Sequence, residues 1–250
     1  MILTIARREL RALFLSPLAW VILAVVQVIL SWVLFVQMEQ FFQLQDQLAT
    51  LPNAPGVTDL VVAPMIEFAS IVLLMVTPMI TMRLLSEEKR SGTIDLLLSS
   101  PASSTEIVLG KFLGATGFML VFTLMIALMP LTLNMGTDID TGKVFSGLLG
   151  LFLLLAAFTA AGLFVSSLTS NPVVAAIGTF GLLLLFWLLD SNSAADPDGS
   201  GVAAWLSLLR HFGPMLRGII DSRDVIFFLL FISGFVILTI RQLDAHRLQG

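Results

Sequence analysis

Residues 144–165 read VFSGLLGLFLLLAAFTAAGLFV, with no ionisable side chain among them. At about 1.5 Å rise per residue, a helix of this stretch reaches about 33 Å, matching the roughly 30 Å hydrocarbon core of a bilayer. Five further stretches approach the same length: Pro17–Gln37, Pro64–Leu85, Ile107–Leu133, Pro172–Leu189 and the shorter Val225–Ile240. The short sixth either begins before Val225 or meets a local thinning of the bilayer. The expected fold is therefore an all-α integral membrane protein, one domain over residues 1–250 with six transmembrane helices.

Composition points the same way. Of 250 residues, 57% are hydrophobic and 12% charged, against about 25% charged in an average soluble domain. A soluble chain of this size could not cover so much apolar surface. The net charge of -4 offers no basic field for nucleic acid. With no cysteine there is no disulfide, thiolate metal site or cysteine nucleophile. The first apolar stretch exceeds a signal-peptide core and no small-residue cleavage site follows, so it reads as a span.

Basic residues orient the chain. With the N-terminus inside, Arg7, Arg8, Arg11, Arg83, Lys89, Arg90, Lys111, Arg241 and Arg247 are cytoplasmic, and only Lys143, Arg210, Arg217 and Arg223 are outside. Nine against four obeys the positive-inside rule, and an even number of spans returns both termini to the cytoplasm.

Local signals mark the ends. Ser16 before Pro17 and Asn171 before Pro172 are N-cap candidates with proline at the first helical position. Ser103 and Glu106 have capping-box spacing. Pro78 and Pro130, inside spans, each remove a backbone donor and predict kinks. Residues 2–15 form an amphipathic pattern for a helix along the interface, with Thr4, Arg7, Arg8 and Arg11 on one face and Ile2, Leu3, Ala6, Leu10, Leu13 and Phe14 opposite. Glu9 falls on the apolar side, where it either reaches the headgroups or pairs with a basic residue of this chain or a partner. Outside, Met38–Ala63 reads as a short helix and a turn. Trp205–Ile220 reads as helical pieces broken at Gly213-Pro214, too short to span.

The loop from Arg83 to Lys111 is the least ordinary segment. A charged cluster, Glu87-Glu88-Lys89-Arg90, leads through Ser91-Gly92-Thr93 into apolar Ile94–Leu98, which stops at Ser99-Ser100-Pro101. A linker needs no such apolar helix. It either lies on the lipid or inserts into a groove of a cytoplasmic partner.

The order Glu88-x-x-x-Gly92-Thr93-x-x-x-Leu97, Ser100-Pro101 and Glu106-Ile107-Val108-x-Gly110-Lys111 resembles ABC-2-type transporter permeases. Ala6–Leu10, Ser16–Trp20 and Gly218–Val225 resemble the branch that includes gliding-motility permease subunits. The resemblance implies a connecting helix at residues 2–15, a coupling helix around Glu87–Leu98 with Glu87, Glu88, Arg90, Gly92, Thr93, Leu96, Leu97 and Pro101 as ATPase-coupling residues, and outer re-entrant helices at 205–221. It implies an exporter in a bacterial inner membrane. Its partners would be a separate cytoplasmic P-loop ATPase, holding ATP and Mg, and a second transmembrane subunit, a copy or a related chain.

The chain itself shows no Gly-x-x-x-x-Gly-Lys-Ser/Thr, so no nucleotide cofactor and no enzyme activity is expected on it. The span centres lack Asp, Glu, Lys, Arg and His, which argues against a proton-coupled carrier or intramembrane protease. His211 and His246 fall on opposite sides and cannot share a metal. Gly110 and Gly114 have GxxxG spacing, imitated by Ala157 and Ala161, for contact within the chain or between subunits. The methionines read as adaptable packing. Two functions stay open: a transport subunit driven by a separate ATPase, or an anchor transmitting force from that ATPase without passing solute.

Overall fold

The structure, a computed structural model, describes residues 1–48, 54–94, 102–133, 137–191 and 205–249. Its helices are α1 (Ile2–Leu15), α2 (Pro17–Leu48), α3 (Ala63–Thr81, entered through a π-helical turn at Thr58–Val62), α4 (Ser86–Arg90), α5 (Ser104–Leu133), α6 (Thr141–Leu168), α7 (Pro172–Ser191), α8 (Leu208–Leu216) and α9 (Ser222–Gln249). Six of the helical stretches are long and apolar enough to cross a membrane.

The helix α6 is the hub. It lies against α3, α5, α7, α8 and α9, and its middle turns carry the small residues Ala156, Ala157, Ala160, Ala161 and Gly162, all buried. Lipid is as apolar as leucine, so helices associate there through close van der Waals fit rather than hydrophobic expulsion. At Gly162 the approach is tightest: a Cβ there would lie 2.7 Å from Thr81 Cβ. Polar groups inside the bundle are mostly satisfied by their own helix. Thr77, Thr81, Thr123, Thr159 and Thr179 donate to the carbonyl four residues back, at 2.6–3.2 Å. Gln27 Nε2 donates to the Met125 carbonyl at 3.4 Å. By contrast, α2 turns Trp20, Val28, Trp32 and Phe35 outward, a face fit for lipid or another helix.

Both termini sit at one end of the bundle, the near end. There Leu243 of α9 shares a cluster with Leu84, Leu85, Ile94 and Ile107, and α1 lies on the first turns of α5. At the far end, Asp140 caps α6 by accepting from Gly142 N and Lys143 N, while Lys143 Nζ meets Asp59 at 2.8 Å. Thr58 Oγ1 accepts from Asp140 N at 3.0 Å, tying the π-helical turn to the same corner.

Helix ends depart from the hydropathy reading in three places. The first spanning helix, α2, does not stop at Gln37 but runs unbroken to Leu48, in place of a separate short helix; the turn expected at 52–56 lies partly outside the described residues. The sixth spanning helix is not short: α9 begins at Ser222 and continues to Gln249. The helix α8 passes through Gly213-Pro214 instead of breaking there, with Pro214 in its last turn. It ends in a Schellman motif, with Gly218 at φ 87°, Ile219 N donating to Pro214 O and Gly218 N to Met215 O. Pro78 and Pro130 both lie within continuous helix. The capping box forms, with Ser103 N on Glu106 Oε2 at 3.1 Å and Glu106 N on Ser103 Oγ at 3.2 Å. Asn171 caps α7 through Val173 N.

The hub predicts an asymmetry between glycines. Gly162→Ala should destabilise by about 1–3 kcal/mol through overpacking, whereas Gly181→Ala, with no atom within 4 Å of its added Cβ, should be neutral or better. Thermal unfolding in detergent checks both.

Candidate functional site

The candidate site is the near end, where the charged loop, the N-terminal helix and the start of α5 meet. Glycine spacing makes the meeting possible. A Cβ on Gly110 would lie 2.6 Å from Ile5 Cβ, and one on Gly114 would lie 2.8 Å from the Ala6 carbonyl and 2.7 Å from Glu9 Cβ. The GxxxG pair therefore serves contact within the chain, as the seat of α1. The inward residues of α1 are Ile2, Ile5, Ala6, Glu9, Leu10, Leu13 and Phe14, while Leu3, expected on the apolar face, is 79% exposed. Arg7, Arg8 and Arg11 point outward.

Seated this way, α1 delivers Glu9 to Lys111. The Lys111 ammonium, its side chain 4% exposed, lies 3.3 Å from Glu9 Oε2 and 2.8 Å from Glu88 Oε1. One cation thus bridges three elements: α1, α4 and α5. The second Glu88 oxygen is buried and meets no hydrogen-bond donor among the described residues. A buried cation stripped of its anions is strongly destabilising, so this contact resists separation of its parts.

The loop is fixed from the other side by α6. Ser166 Oγ accepts from Leu85 N and Ser86 N, each at 3.1 Å, and donates to Met82 O at 3.0 Å. Lys89 Nζ donates to the Ser167 carbonyl, and Ser86 Oγ donates to Met82 O. Arg83 and Glu87 pair at 3.9 Å on the surface, a contact worth little in water.

The expected single helix over Glu87–Leu98 is interrupted. The helix α4 ends at Arg90, and Gly92 takes φ 68° in a Schellman motif, with Thr93 N donating to Glu88 O and Gly92 N to Lys89 O. A residue with a Cβ is disfavoured at that angle, which explains the glycine. The chain then turns inward, and Ile94 is buried beside Leu84, Leu85 and Ile107 rather than offered outward.

The sequence-derived residues thus divide. Glu87, Arg90, Gly92 and Thr93 are exposed on α4 and the turn that follows it. Glu88 faces inward to Lys111. Leu96, Leu97 and Pro101 lie outside the described residues. Lys111 and Ser166 were not among the expected site residues. A signal for Lys111 existed: an acid on the apolar face of α1 has either the headgroups or a basic partner to meet it, and Lys111 is that partner. Ser166 had none, since a serine near a helix end is commonplace.

A family model described as ABC-2 family transporter protein matches residues 3–198. That range takes in α1, the whole near-end site and five of the six spanning helices. No curated protein matches the chain.

Replacing Lys111 with methionine should cost about 3 kcal/mol, because two carboxylates are left facing each other without a cation. The triple replacement with Glu9→Gln and Glu88→Gln should regain most of that loss. Thermal unfolding of the single and triple variants measures the coupling.

Proposed function

Because the chain belongs to the ABC-2 family transporter proteins, a family of membrane permeases, we propose that it receives the stroke of a separate cytoplasmic ATPase through its near end. Under this reading the near end faces the cytoplasm, in keeping with the basic residues it carries. The exposed rim of Arg7, Arg8, Arg11, Glu87 and Arg90 meets the ATPase, which holds ATP and Mg. A second transmembrane subunit, identical or related, packs on an outward apolar face, and cargo leaves through a bacterial inner membrane.

The carrying observation is the Lys111 bridge. Force applied to α4 needs a stiff connection to the spans, and the bridge ties α4 to both α1 and α5 while Ser166 ties it to α6. A loop held only by solvent would absorb the motion instead. Opposite charges on the rim suit a polar, reversible contact, which steers docking more than it adds affinity.

Reversing both rim charges, with Glu87→Lys and Arg90→Glu, should lower cargo-stimulated ATP hydrolysis by at least about tenfold, the loss of one or two interfacial charge pairs. The melting temperature should not change, since both side chains are exposed. Full stimulation together with normal transport would sink the assignment.

A second reading has its own support: the chain anchors an envelope machine and passes force without passing solute. Most of its buried hydroxyls are turned back onto their own helices, which leaves little to line a hydrophilic path. ATP-dependent movement of a lipid-linked cargo in liposomes distinguishes the two; hydrolysis without movement of any cargo class favours the anchor.

A further inference from the structure

The chain joins α4 to α3, yet α4 is fastened elsewhere. Every helix begins with N–H groups and ends with carbonyls that its own turns leave unbonded. At the start of α4, Leu85 holds the capping position and its side chain caps nothing. Ser166 of α6 does so instead. Its hydroxyl accepts from Leu85 N and Ser86 N, both at 3.1 Å, and donates to Met82 O at 3.0 Å. A hydroxyl has one proton and two lone pairs, so Ser166 is fully used.

The end of α6 is treated in return. It stops at Thr169 in extended backbone, without the left-handed glycine that follows α4 and α8. Lys89 of α4 donates through Nζ to the Ser167 carbonyl, one of the terminal acceptors that α6 cannot satisfy itself. The two helices thus exchange caps. Water cannot easily replace them, because Ser166 and Ser167 are 0% and 1% exposed.

The link to α3 is of another kind. Met82–Leu85 form a turn that reaches back to α3 through Met82 N on Pro78 O at 2.9 Å and Leu84 N on Thr81 O at 3.1 Å. Pro78 itself has no N–H, which removes the donor that Leu74 O would take in an unbroken helix. Beyond Pro78, Thr81 rests against Gly162 of α6. The last turn of α3, the link and α4 therefore all bear on the end of α6, and α3 is weakened just before them.

We propose that α4 belongs mechanically to α6 and not to α3, with Ser166 and Lys89 as the positioning residues of the joint and Pro78 as the hinge at which α3 yields. A push on α4 then enters the hub, which passes it to α3, α5, α7, α8 and α9 together. The Lys111 bridge steadies α4 from α5 by a side chain, Glu88, whereas Ser166 holds the α4 backbone. This transmission rests on the ATPase reading above; the joint itself does not.

Hydrogen exchange read by mass spectrometry on the full chain in detergent tests the joint without a partner. Ser166→Ala and Lys89→Met should each raise exchange about fivefold in both α4 and the last turn of α6, the worth of one hydrogen bond. Lys89→Arg, which keeps a donor, should leave both as they are. Pro78→Ala should slow exchange in the last turn of α3 and leave α4 unchanged. Loosening of one helix without the other after Lys89→Met, or slowing of α4 together with α3 after Pro78→Ala, would overturn the joint. If Ser166→Ala does not fold, the two Lys89 variants decide. In liposomes holding the chain and the ATPase co-isolated with it, Lys89→Met should lower the movement of a fluorescent lipid-linked sugar per ATP hydrolysed by about fivefold, again one hydrogen bond. Hydrolysis should continue, and Lys89→Arg should restore movement. Unchanged movement per ATP in Lys89→Met would overturn the positioning role. Absence of hydrolysis with the unaltered chain would overturn the ATPase reading and the transmission with it, while the exchange results still decide the joint.

Discussion

The missing side chain at Gly162 governs more than its own contact. It lets α3 and α6 close until Thr81 rests against the α6 backbone. Four residues further along α6 stands Ser166, and just beyond Thr81 the chain bends through Met82–Leu85. Because the two helices are this close, one hydroxyl can reach Met82 O, Leu85 N and Ser86 N at once. The position of α4 is therefore set in the apolar interior, and the charged near-end surface inherits its geometry from an alanine- and glycine-lined seam in the spans.

That dependence runs in one direction. Packing at small residues fixes the helices, stitched backbone groups fix the loop, and the Lys111 bridge then locks α1 over α5. Both positive-φ glycines among the described residues, Gly92 and Gly218, close their helices with the same Schellman arrangement, one at each end of the bundle. The two ends nevertheless differ. At the near end, charged and polar groups of α1, α4, α5 and α6 are joined to one another, with Glu88 Oε2 left over. The far end is open, with a cavity between α8 and α9.

The existence of the six spans was legible because twenty apolar residues in a row have few other uses. Their ends were not. Hydropathy falls after Gln37, yet Gln40, Gln43, Gln45 and Gln47 are good helix formers with no glycine or proline among them, so α2 continues. The same holds after Ile240 in α9, where Arg241, Gln242 and Leu243 simply extend the helix. Polarity marks where lipid ends, whereas only breakers and caps mark where a helix ends. At the near end, Glu9 announced a missing partner, but Lys111 is 102 residues away in the chain, beyond any helical periodicity. The break at Gly92 was signalled, since the charged cluster gives way to the apolar run across Ser91-Gly92-Thr93 and glycine is a common helix stop, but the helix implied by the resemblance was drawn through it.

One consequence of the N-terminal helix concerns the order in which the molecule loosens. No residue of α1 is fully buried, and apart from the chain link at Ser16 it is held mainly by its seat on α5 and the Glu9 contact. With one face open along its length and no fully buried residue, α1 should exchange its amides with solvent before the buried hub α6 does. Its departure would bare Gly110, Gly114 and one side of Lys111 while the spans stayed assembled. The protein thus carries a separable cover over its single buried ammonium, and the rate at which that cover lifts sets how often the ammonium sees water.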